Sequence, residues 1–244
     1  MAIKIVTASG KGGVGKSTVC KSLGLTFSSI GKNTLLIDCD AGLSSLDIML
    51  SVSENVNFTW EDVAKERCNL DDAILSVNEN LSLLSSPRNR VTEIDDGIIE
   101  RITAELDDKY DIIIIDAPAG IGTGLIRAAR GASKALIVAT GDEVSVKGAA
   151  GVDKVISELG ISDSRLLINR YEVKFAKKGQ LLSIDDIIDK TMVQLIGIIP
   201  EDKNIVFSTV SKKKLKTKKS DSAFSRIASR ILGENVELTL SQLK

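Results

Sequence analysis

Histidine is absent from the 244 residues of the chain. This absence excludes Ser-His-Asp hydrolysis, zinc sites with histidine ligands and acid–base catalysis by histidine. The three cysteines form neither a CxxC pair nor an even-numbered disulfide framework; they are Cys20, Cys39 and Cys68. A reduced cytoplasmic protein is the simplest interpretation of this cysteine content.

Aromatic residues and long apolar runs are also scarce. Aromatics make up 3% of the chain against 43% apolar residues, so the core must be built from Val, Ile, Leu and Ala, as is typical of parallel sheets covered by helices on both faces. No apolar run approaches the roughly 18 residues of a membrane span, and the N-terminal MAIKIVTASGKGG becomes glycine-rich too soon for a signal peptide. The 32 basic and 33 acidic residues give a formal charge of −1, so no global field attracts nucleic acid or membrane.

Short β-branched or Leu-rich segments alternate with segments of helical period along the chain. The predicted strands are Ala2–Thr7, Thr34–Ile37, Leu81–Leu84, Ile112–Ile115, Ala135–Ala139, Leu166–Ile168 and Leu195–Ile199. The predicted helices are Lys16–Ser29, Ile94–Leu106, Gly122–Arg130, Val146–Leu159, Ile184–Asp189 and Ala223–Leu232. This alternation predicts an α/β doubly wound fold, with a mainly parallel sheet of about seven strands and helices on both faces. Without a linker or repeat, residues 1–244 are expected to form one domain.

One segment departs from the even charge distribution. Lys212–Lys219 reads KKKLKTKK, with six lysines in eight residues. It is either a solvated surface loop or a local positive field for anionic lipid or DNA phosphate. The C-terminal tail, residues 233–244, is short and mixed in composition, and it indicates no function.

Residues 10–17 read GKGGVGKS, between a predicted strand and a predicted helix. This is the context and spacing of the phosphate-binding pattern G-x-x-x-x-G-K-[ST]. Its glycines let backbone N–H groups turn toward phosphate oxygens, and the helix N-terminus adds partial positive charge. Lys16 brings a full charge to the β- and γ-phosphates, and the Ser17 hydroxyl is a ligand for Mg²⁺. The predicted phosphate-binding residues are Gly12, Gly13, Val14, Gly15, Lys16, Ser17 and Thr18.

Acidic residues end two of the predicted strands. Asp116 ends the run IIIID, and Asp38 and Asp40 end the second strand. Carboxylates at the carboxyl edge of a parallel sheet reach the ligand crevice and can hold Mg²⁺, although an Asp at a strand end also caps turns. In the turn after Asp116, a free N–H of Gly120 is predicted to contact the γ-phosphate and sense its loss.

Two further segments follow late strands and are predicted to flank the base. Asn169 and Arg170 follow one of them, and an Asn amide offers both a donor and an acceptor, which suits the edge of adenine. Pro200, Glu201 and Asp202 follow the other strand. Glu201 and Asp202 also fit a plain helix N-terminus.

A second lysine, Lys11, stands early in the same loop, in the string KGGVGKST. This string resembles the deviant Walker A motif of the MinD/ParA family, the signature-lysine ATPases. Four further segments are similar to that family in the same order: LIDCDAGLSSLDIML at 36–50, IIIDAPAGIG at 113–122, LLINRY at 166–171 and GIIPED at 197–202. The resemblance spans residues 2–202, and the DAPAG and NRY strings favour the MinD branch.

The resemblance implies an ATPase that uses ATP and Mg²⁺ and forms a homodimer in the ATP state. It implies that Lys11 reaches across the dimer interface to the partner's nucleotide, that Asp40 orients the attacking water, and that Asp38 lies near Mg²⁺ with Ser17 and Asp116. It also implies regulatory protein partners and recruitment to an anionic membrane surface, at the cytoplasmic face of the cell membrane, to place the division septum or another structure.

The chain departs from the MinD pattern in two places. The family's C-terminal amphipathic helix is matched only modestly by Ala223–Leu232, which fits a helix packed on the sheet better. Ser45-Leu46-Asp47 stands where the family typically has Asn-Leu-Asp. A DNA partition ATPase of the ParA type, binding nonspecific DNA, and a flagellar-placement ATPase therefore remain alternatives. The iron–sulfur relatives need a cysteine in Asp116–Gly122, which has none, and a kinase or ligase would need a second substrate pocket.

Overall fold

The computed structural model describes residues 1–42, 45–89, 94–202, 204–205 and 218–238. Within them, eight strands form one sheet in the order β3-β4-β2-β5-β1-β6-β7-β8. The strands are β1 Ile3–Ala8, β2 Thr34–Asp38, β3 Ile74–Asn78, β4 Leu81–Leu84, β5 Ile112–Asp116, β6 Lys134–Ala139, β7 Asp163–Tyr171 and β8 Leu195–Pro200. The neighbouring strands pair in parallel except β3, which runs antiparallel to β4 at one edge.

Ten α-helices fall within the described residues. They are α1 Lys16–Ser29, α2 Ser45–Met49, α3 Trp60–Ala64, α4 Leu70–Ala73, α5 Ile98–Glu105, α6 Thr123–Arg130, α7 Glu143–Glu158, α8 Val173–Ala176, α9 Ile184–Thr191 and α10 Lys218–Ile231, with a 3₁₀ turn at Ser53–Asn55. None of these helices has the length and apolar character to cross a bilayer.

The alternation of side chains along the central strands creates two apolar layers. Ile37 and Ile113 point to the face covered by α5, α6, α7 and α9. Leu36 and Ile114 point to the other face, which α1 and α10 cover. Because both faces are buried, the central strands are continuous apolar runs rather than alternating ones.

The predicted fold class is confirmed: the sheet is mainly parallel, with helices on both faces. The seven predicted strands are present, and β3 is an eighth that the sequence pattern did not reveal. β3 lies at the edge, is only partly buried and reads ILSVN, so it lacks the apolar run by which the other strands were recognised. The helix predicted from Ile94 begins only at Ile98, whereas α7 begins three residues earlier than predicted because Asp142 caps it.

The C-terminal helix α10 packs on the sheet, as the plainer interpretation of Ala223–Leu232 predicted. Phe224 and Ile227 on its apolar face are 3% and 1% exposed, against β8 and α1. The Arg230 guanidinium then donates to the carbonyl oxygens of Ile196, Val236 and Glu237, which fixes the chain that follows the helix. The apolar face of α10 is therefore used internally. Residues 212–217 of the lysine-rich segment and 239–244 of the tail lie outside the described residues.

Candidate nucleotide-binding site

The register of the central strands brings two carboxylates together at the carboxyl edge of the sheet. Asp38 at the end of β2 pairs with Asp116 at the end of β5, so their side chains lie about one strand spacing, roughly 4.8 Å, apart on the same face. That face is the one of Leu36 and Ile114, two residues earlier on each strand, and it is covered by α1. The phosphate-loop pattern leads directly into α1.

The loop between β1 and α1 depends on glycine at two positions. Gly13 and Gly15 have φ angles of 79° and 92°, in the left-handed region. A Cβ on Gly15 would also lie 2.4 Å from Nδ2 of Asn169. Gly15 is the N-cap of α1 and has no side chain to satisfy the N–H groups of the first turn, so these donors and the helix dipole are available to an anion.

Lys16 and Asp116 form a buried ion pair at this point. Lys16 Nζ lies 3.1 Å from Asp116 Oδ1, and the two side chains are 7% and 0% exposed. Burial by itself lowers the pKa of Lys16, but the Asp116 carboxylate outweighs it and the pKa is raised. The lysine therefore stays charged next to the loop, where it can neutralise either Asp116 or a phosphate group.

Asp38 is completely buried, and its two oxygens accept from the backbone N–H groups of Asp40 (2.9 Å) and Leu46 (3.1 Å). Burial, followed by repulsion from Asp116, raises the pKa of Asp38 to about 7 against those two hydrogen bonds. Burial also raises the pKa of Asp40, with Lys16 opposing and Asp116 reinforcing the shift. The edge thus holds more negative charge than Lys16 alone can balance.

This surplus of oxygen ligands fits a divalent cation. Asp116 Oδ2 is buried and has no hydrogen-bond partner, and hard carboxylate and hydroxyl oxygens are the ligands that Mg²⁺ prefers. Among the described residues no cluster of three or more Asp, Glu, Cys or His side chains could hold a metal. Asp38, Asp116 and Ser17 would therefore supply part of a coordination shell that phosphate oxygens and water complete, as is usual for Mg²⁺.

The raised pKa of Asp38 predicts an unusual pH dependence of stability. Between about pH 4 and 7 the folded chain keeps a proton on Asp38 that the unfolded chain has lost, so the free energy of unfolding falls as the pH rises. Asp38→Asn should remove the part of this decline that Asp38 causes, which is at most about 1.4 kcal/mol per pH unit, and leave the part that the raised pKa of Asp40 causes. Urea unfolding of the nucleotide-free protein at pH 4 to 8 measures it.

The matched control is Asp62→Asn. The pKa of Asp62 is lowered, because hydrogen bonds from Thr59 and Arg67 outweigh the effect of burial. Asp62 therefore titrates below the pH range of the measurement, and the Asp62→Asn variant should show the same fall of the free energy of unfolding with pH as the wild type. An Asp38→Asn profile parallel to that of the wild type would contradict the assignment.

The predicted base-side residues converge on the phosphate loop. Asn169 is buried, and its Nδ2 donates to the Val14 carbonyl at 2.8 Å. Arg170, with φ of 56°, pairs with Glu201 at 2.8 Å and reaches the Gly13 carbonyl at 3.5 Å. Asn169 therefore braces the loop, and its predicted contact with adenine must use its remaining N–H or its oxygen.

Asp202, in the segment that follows β8, makes two hydrogen bonds within the protein. Its carboxylate accepts from the Asn204 N–H at 3.0 Å and from the Ser220 hydroxyl at 2.8 Å. Pro200 ends β8 opposite Tyr171. The predicted contacts of Pro200 and Asp202 with the base stay predictions.

The prediction of a free N–H on Gly120 was wrong. This N–H donates to the Ser9 carbonyl at 2.8 Å, because the turn after β5 folds back onto the start of the phosphate loop. Gly120 has φ of 96°, which favours glycine. A contact with a γ-phosphate would have to replace the bond to Ser9.

Two residues of the site were missed by sequence reasoning. Asp142 accepts from Lys11 Nζ at 3.1 Å, and Trp60 is fully buried with its Nε1 donating to the Asp38 carbonyl at 2.9 Å. The only signal for Asp142 is its position after a predicted strand and three residues before Ser145, a helix N-cap spacing. Nothing in the sequence relates Trp60 to Asp38.

Comparison with known proteins decides the family. Residues 2–167 match a family model described as AAA domain. The septum site-determining protein MinD of Synechocystis is 36% identical over 239 residues, covering 95% of this chain and 90% of that protein. The chain belongs to the MinD/ParA family of P-loop ATPases. The MinD of Helicobacter pylori is 33% identical over 252 residues, covering 97% of this chain and 93% of that protein.

Solved structures of the MinD/ParA family agree with the observed fold. The MinC:MinD cell division protein complex of Aquifex aeolicus superposes with a TM-score of 0.87 at 31% identity, covering 98% of this chain and 99% of that one. MinD of Pyrococcus horikoshii complexed with Mg-ADP superposes with a TM-score of 0.83 at 27% identity, covering 95% and 96% of the two chains. The resemblance stated from the motifs is thereby confirmed.

Proposed function

We propose that the chain is an ATP-hydrolysing dimerisation switch of the MinD type, with residues 1–244 forming one ATPase domain. The observation that supports this proposal most strongly is the buried Lys16–Asp116 ion pair at the end of a glycine-rich loop. Lys16 can exchange Asp116 for the phosphates of ATP, which leaves Asp116 and Asp38 free to face a cation. Bound Mg²⁺ would neutralise the charge of the phosphates and polarise them.

Hydrolysis at this site would depend on positioning and electrostatics, as phosphoryl transfer generally does in P-loop ATPases. Asp40 follows β2 and is partly exposed, unlike Asp38 and Asp116, which are buried. A carboxylate at the opening of the site is placed to accept a hydrogen bond from an attacking water. We therefore assign the orientation of water to Asp40 and a supporting role to Asp38.

The dimer is proposed to form over the exposed side of the phosphate loop. Lys11 is 43% exposed there. Two apolar side chains adjoin residues that contact the loop: Ile121, next to Gly120, is 58% exposed, and Val144, two residues after Asp142, is 67% exposed. A second subunit would cover these side chains and receive Lys11 at its nucleotide. Loss of the γ-phosphate would then open the dimer.

Support for the proposed cellular role comes from the relatives named septum site-determining proteins and from the MinC:MinD complex. We propose that the ATP-bound dimer is a peripheral protein on the cytoplasmic face of the membrane, where it binds regulatory proteins and places the septum or another structure. Contact with lipid would use residues other than Phe224 and Ile227, because α10 buries them.

Sedimentation of the Asp40→Ala variant with ATP and Mg²⁺ tests this proposal, over anionic liposomes and over nonspecific DNA in parallel. Slow hydrolysis should keep the dimer assembled, so it should pellet with the liposomes. Asp40→Ala/Lys11→Ala is the matched control, which should bind ATP as a monomer and stay in the supernatant. Pelleting with DNA alone would indicate a DNA partition ATPase instead. A control variant that still dimerised with ATP would contradict the proposal that Lys11 crosses to the partner's nucleotide.

A further inference from the structure

We propose that Trp60 and Arg127 are positioning residues for ATP hydrolysis, and that their contact links the carboxyl end of β2 to the helix that follows the turn after β5. The inference rests on the proposed function, in which Asp40, just after β2, orients the attacking water. Neither the motifs nor the resemblance indicated Trp60 or Arg127.

The indole of Trp60 is a firmly held donor at the end of β2. The side chain is fully buried, and its Nε1 donates to the Asp38 carbonyl at 2.9 Å. Its backbone N–H donates at 3.2 Å to the carbonyl of Ser85, which directly follows β4, the strand beside β2. The start of α3 is fixed as well, because the Asp62 carboxylate accepts from the N–H and the hydroxyl of Thr59. A displacement of the indole would therefore break a buried hydrogen bond to β2.

Asp38 passes this constraint on to the segment that follows β2. Its carboxylate accepts from the N–H groups of Asp40 at 2.9 Å and Leu46 at 3.1 Å. Asp38 thus holds the indole with its carbonyl and the following segment with its side chain. Loss of the indole N–H would let the end of β2 shift, and a misplacement of a catalytic group by about 1 Å can slow a reaction by about 100-fold.

Arg127 forms the other end of the link. Its guanidinium carbon lies 5.9 Å from the centroid of the Trp60 ring, within the range of a cation–π interaction. The Asp96 carboxylate accepts from the same guanidinium at 2.8 Å, and the arginine side chain is only 17% exposed. The cation is therefore held against the ring in surroundings where water screens it little.

The helix that carries Arg127 begins at the turn expected to face the γ-phosphate. α6 starts at Thr123, three residues after Gly120, and Arg127 follows within little more than one helical turn. A contact of Gly120 with the γ-phosphate would have to replace its hydrogen bond to the Ser9 carbonyl. The turn would then move when the phosphate is bound or lost. That movement would displace Arg127 over the indole and so reach the end of β2.

Trp60→Phe tests the hydrogen bond to Asp38. The substitution keeps an aromatic ring in the buried site but removes the indole N–H. We expect ATP hydrolysis per subunit to slow by about ten- to 100-fold. The affinity for ATP should stay within about two-fold, because the hydrogen bond lies outside the phosphate loop. Phosphate release and titration with a fluorescent ATP analogue measure the two quantities. A wild-type rate, or a loss of affinity as large as the loss of rate, would overturn the positioning role.

Arg127→Met tests the cation at the other end. It should slow hydrolysis by about three- to 30-fold without changing the affinity for ATP, whereas Arg127→Lys, which keeps a cation for the ring face, should restore most of the rate. Arg130→Met is the matched control, since Arg130 is an exposed arginine on the same helix, and its rate should stay within about two-fold of the wild type. Equal slowing by Arg130→Met, or no recovery with Arg127→Lys, contradicts the proposal.

Trp60 is the only tryptophan in the chain, so its fluorescence reports on the link directly. In the Asp40→Ala background, its emission maximum should differ between the ATP–Mg²⁺ and ADP–Mg²⁺ states. Arg127→Met should remove this difference and Arg130→Met should preserve it. A contact that only stabilises the fold would give the same emission in both states, and that result would overturn the link.

The nucleotide-free chain separates this proposal from the proposed function. Without nucleotide, Arg127→Met should shift the emission of Trp60, and Arg130→Met should not. Absence of the shift overturns the contact even if the wild type is an active ATPase. If the shift is present but the wild type does not hydrolyse ATP, the proposed function fails and the positioning role fails with it, while the contact itself stands.

Discussion

Replacing Lys16 with Ala is expected to abolish measurable ATP binding and to lower the free energy of unfolding of the nucleotide-free chain by about 3 kcal/mol. The loss of binding follows from removal of the one full charge that the loop brings inside the site to the phosphates, an effect of at least about 100-fold. The loss of stability has a separate cause. Among the described residues, Asp116 would then have no cation in contact while it remains completely buried beside Asp38.

The two effects can be separated with a second substitution. Lys16→Ala/Asp116→Asn removes both charges of the pair, so most of the lost stability should return, whereas ATP binding should not. Urea unfolding and titration with a fluorescent ATP analogue measure the two quantities. Lys21→Ala is a matched control, because Lys21 lies one turn further along α1 with no ion pair of its own among the described contacts, and it should leave binding unchanged.

Tight ATP binding by the Lys16→Ala variant would contradict the phosphate-loop assignment. Failure of Asp116→Asn to recover stability would contradict the electrostatic explanation. The second result would leave the binding role of Lys16 intact, because it concerns the nucleotide-free chain only.

The parts of the site that the sequence predicted are those fixed by local chain geometry. The loop from Gly10 to Ser17 carries its strand, turn and helix within a few residues, so the pattern alone places its glycines and Lys16. Asp38 and Asp116 could be placed for a related reason. The carboxyl ends of parallel strands meet at one edge of the sheet, and each Asp directly follows an apolar run.

The parts that were missed depend on contacts between distant segments. Lys11 and Asp142 are 131 residues apart, and Trp60 reaches Asp38 through a short helix that has no strong period. The Gly120 N–H was predicted to be free because a turn in isolation leaves it so, whereas the fold presents it with the Ser9 carbonyl. Pattern reasoning locates the ends of elements but not the acceptors that other elements bring to them.

Asp40→Ala is expected to slow ATP hydrolysis by about 100- to 10,000-fold while leaving ATP binding intact, since a positioned carboxylate acting on water contributes this much. Stability should change little or rise slightly. The pKa of Asp40 is raised by burial and by Asp116 despite Lys16, so its negative charge is unfavourable in the nucleotide-free chain. Phosphate release per subunit and the affinity for ATP measure the two effects.

Two further variants decide what the Asp40 side chain contributes. Asp40→Asn keeps the size and one acceptor oxygen but removes the charge, so hydrolysis as slow as in Asp40→Ala would show that the carboxylate itself is needed. Asp71→Asn is the matched control: it removes a carboxylate that is 73% exposed and pairs with Lys109 at 2.7 Å, remote from the loop, and hydrolysis should be unchanged. If the Asp40→Ala variant hydrolysed ATP at the wild-type rate, a group other than Asp40 would have to orient the water. Asp38 would then be the first alternative, because its two backbone hydrogen bonds hold its carboxylate beside Asp116 at the same edge.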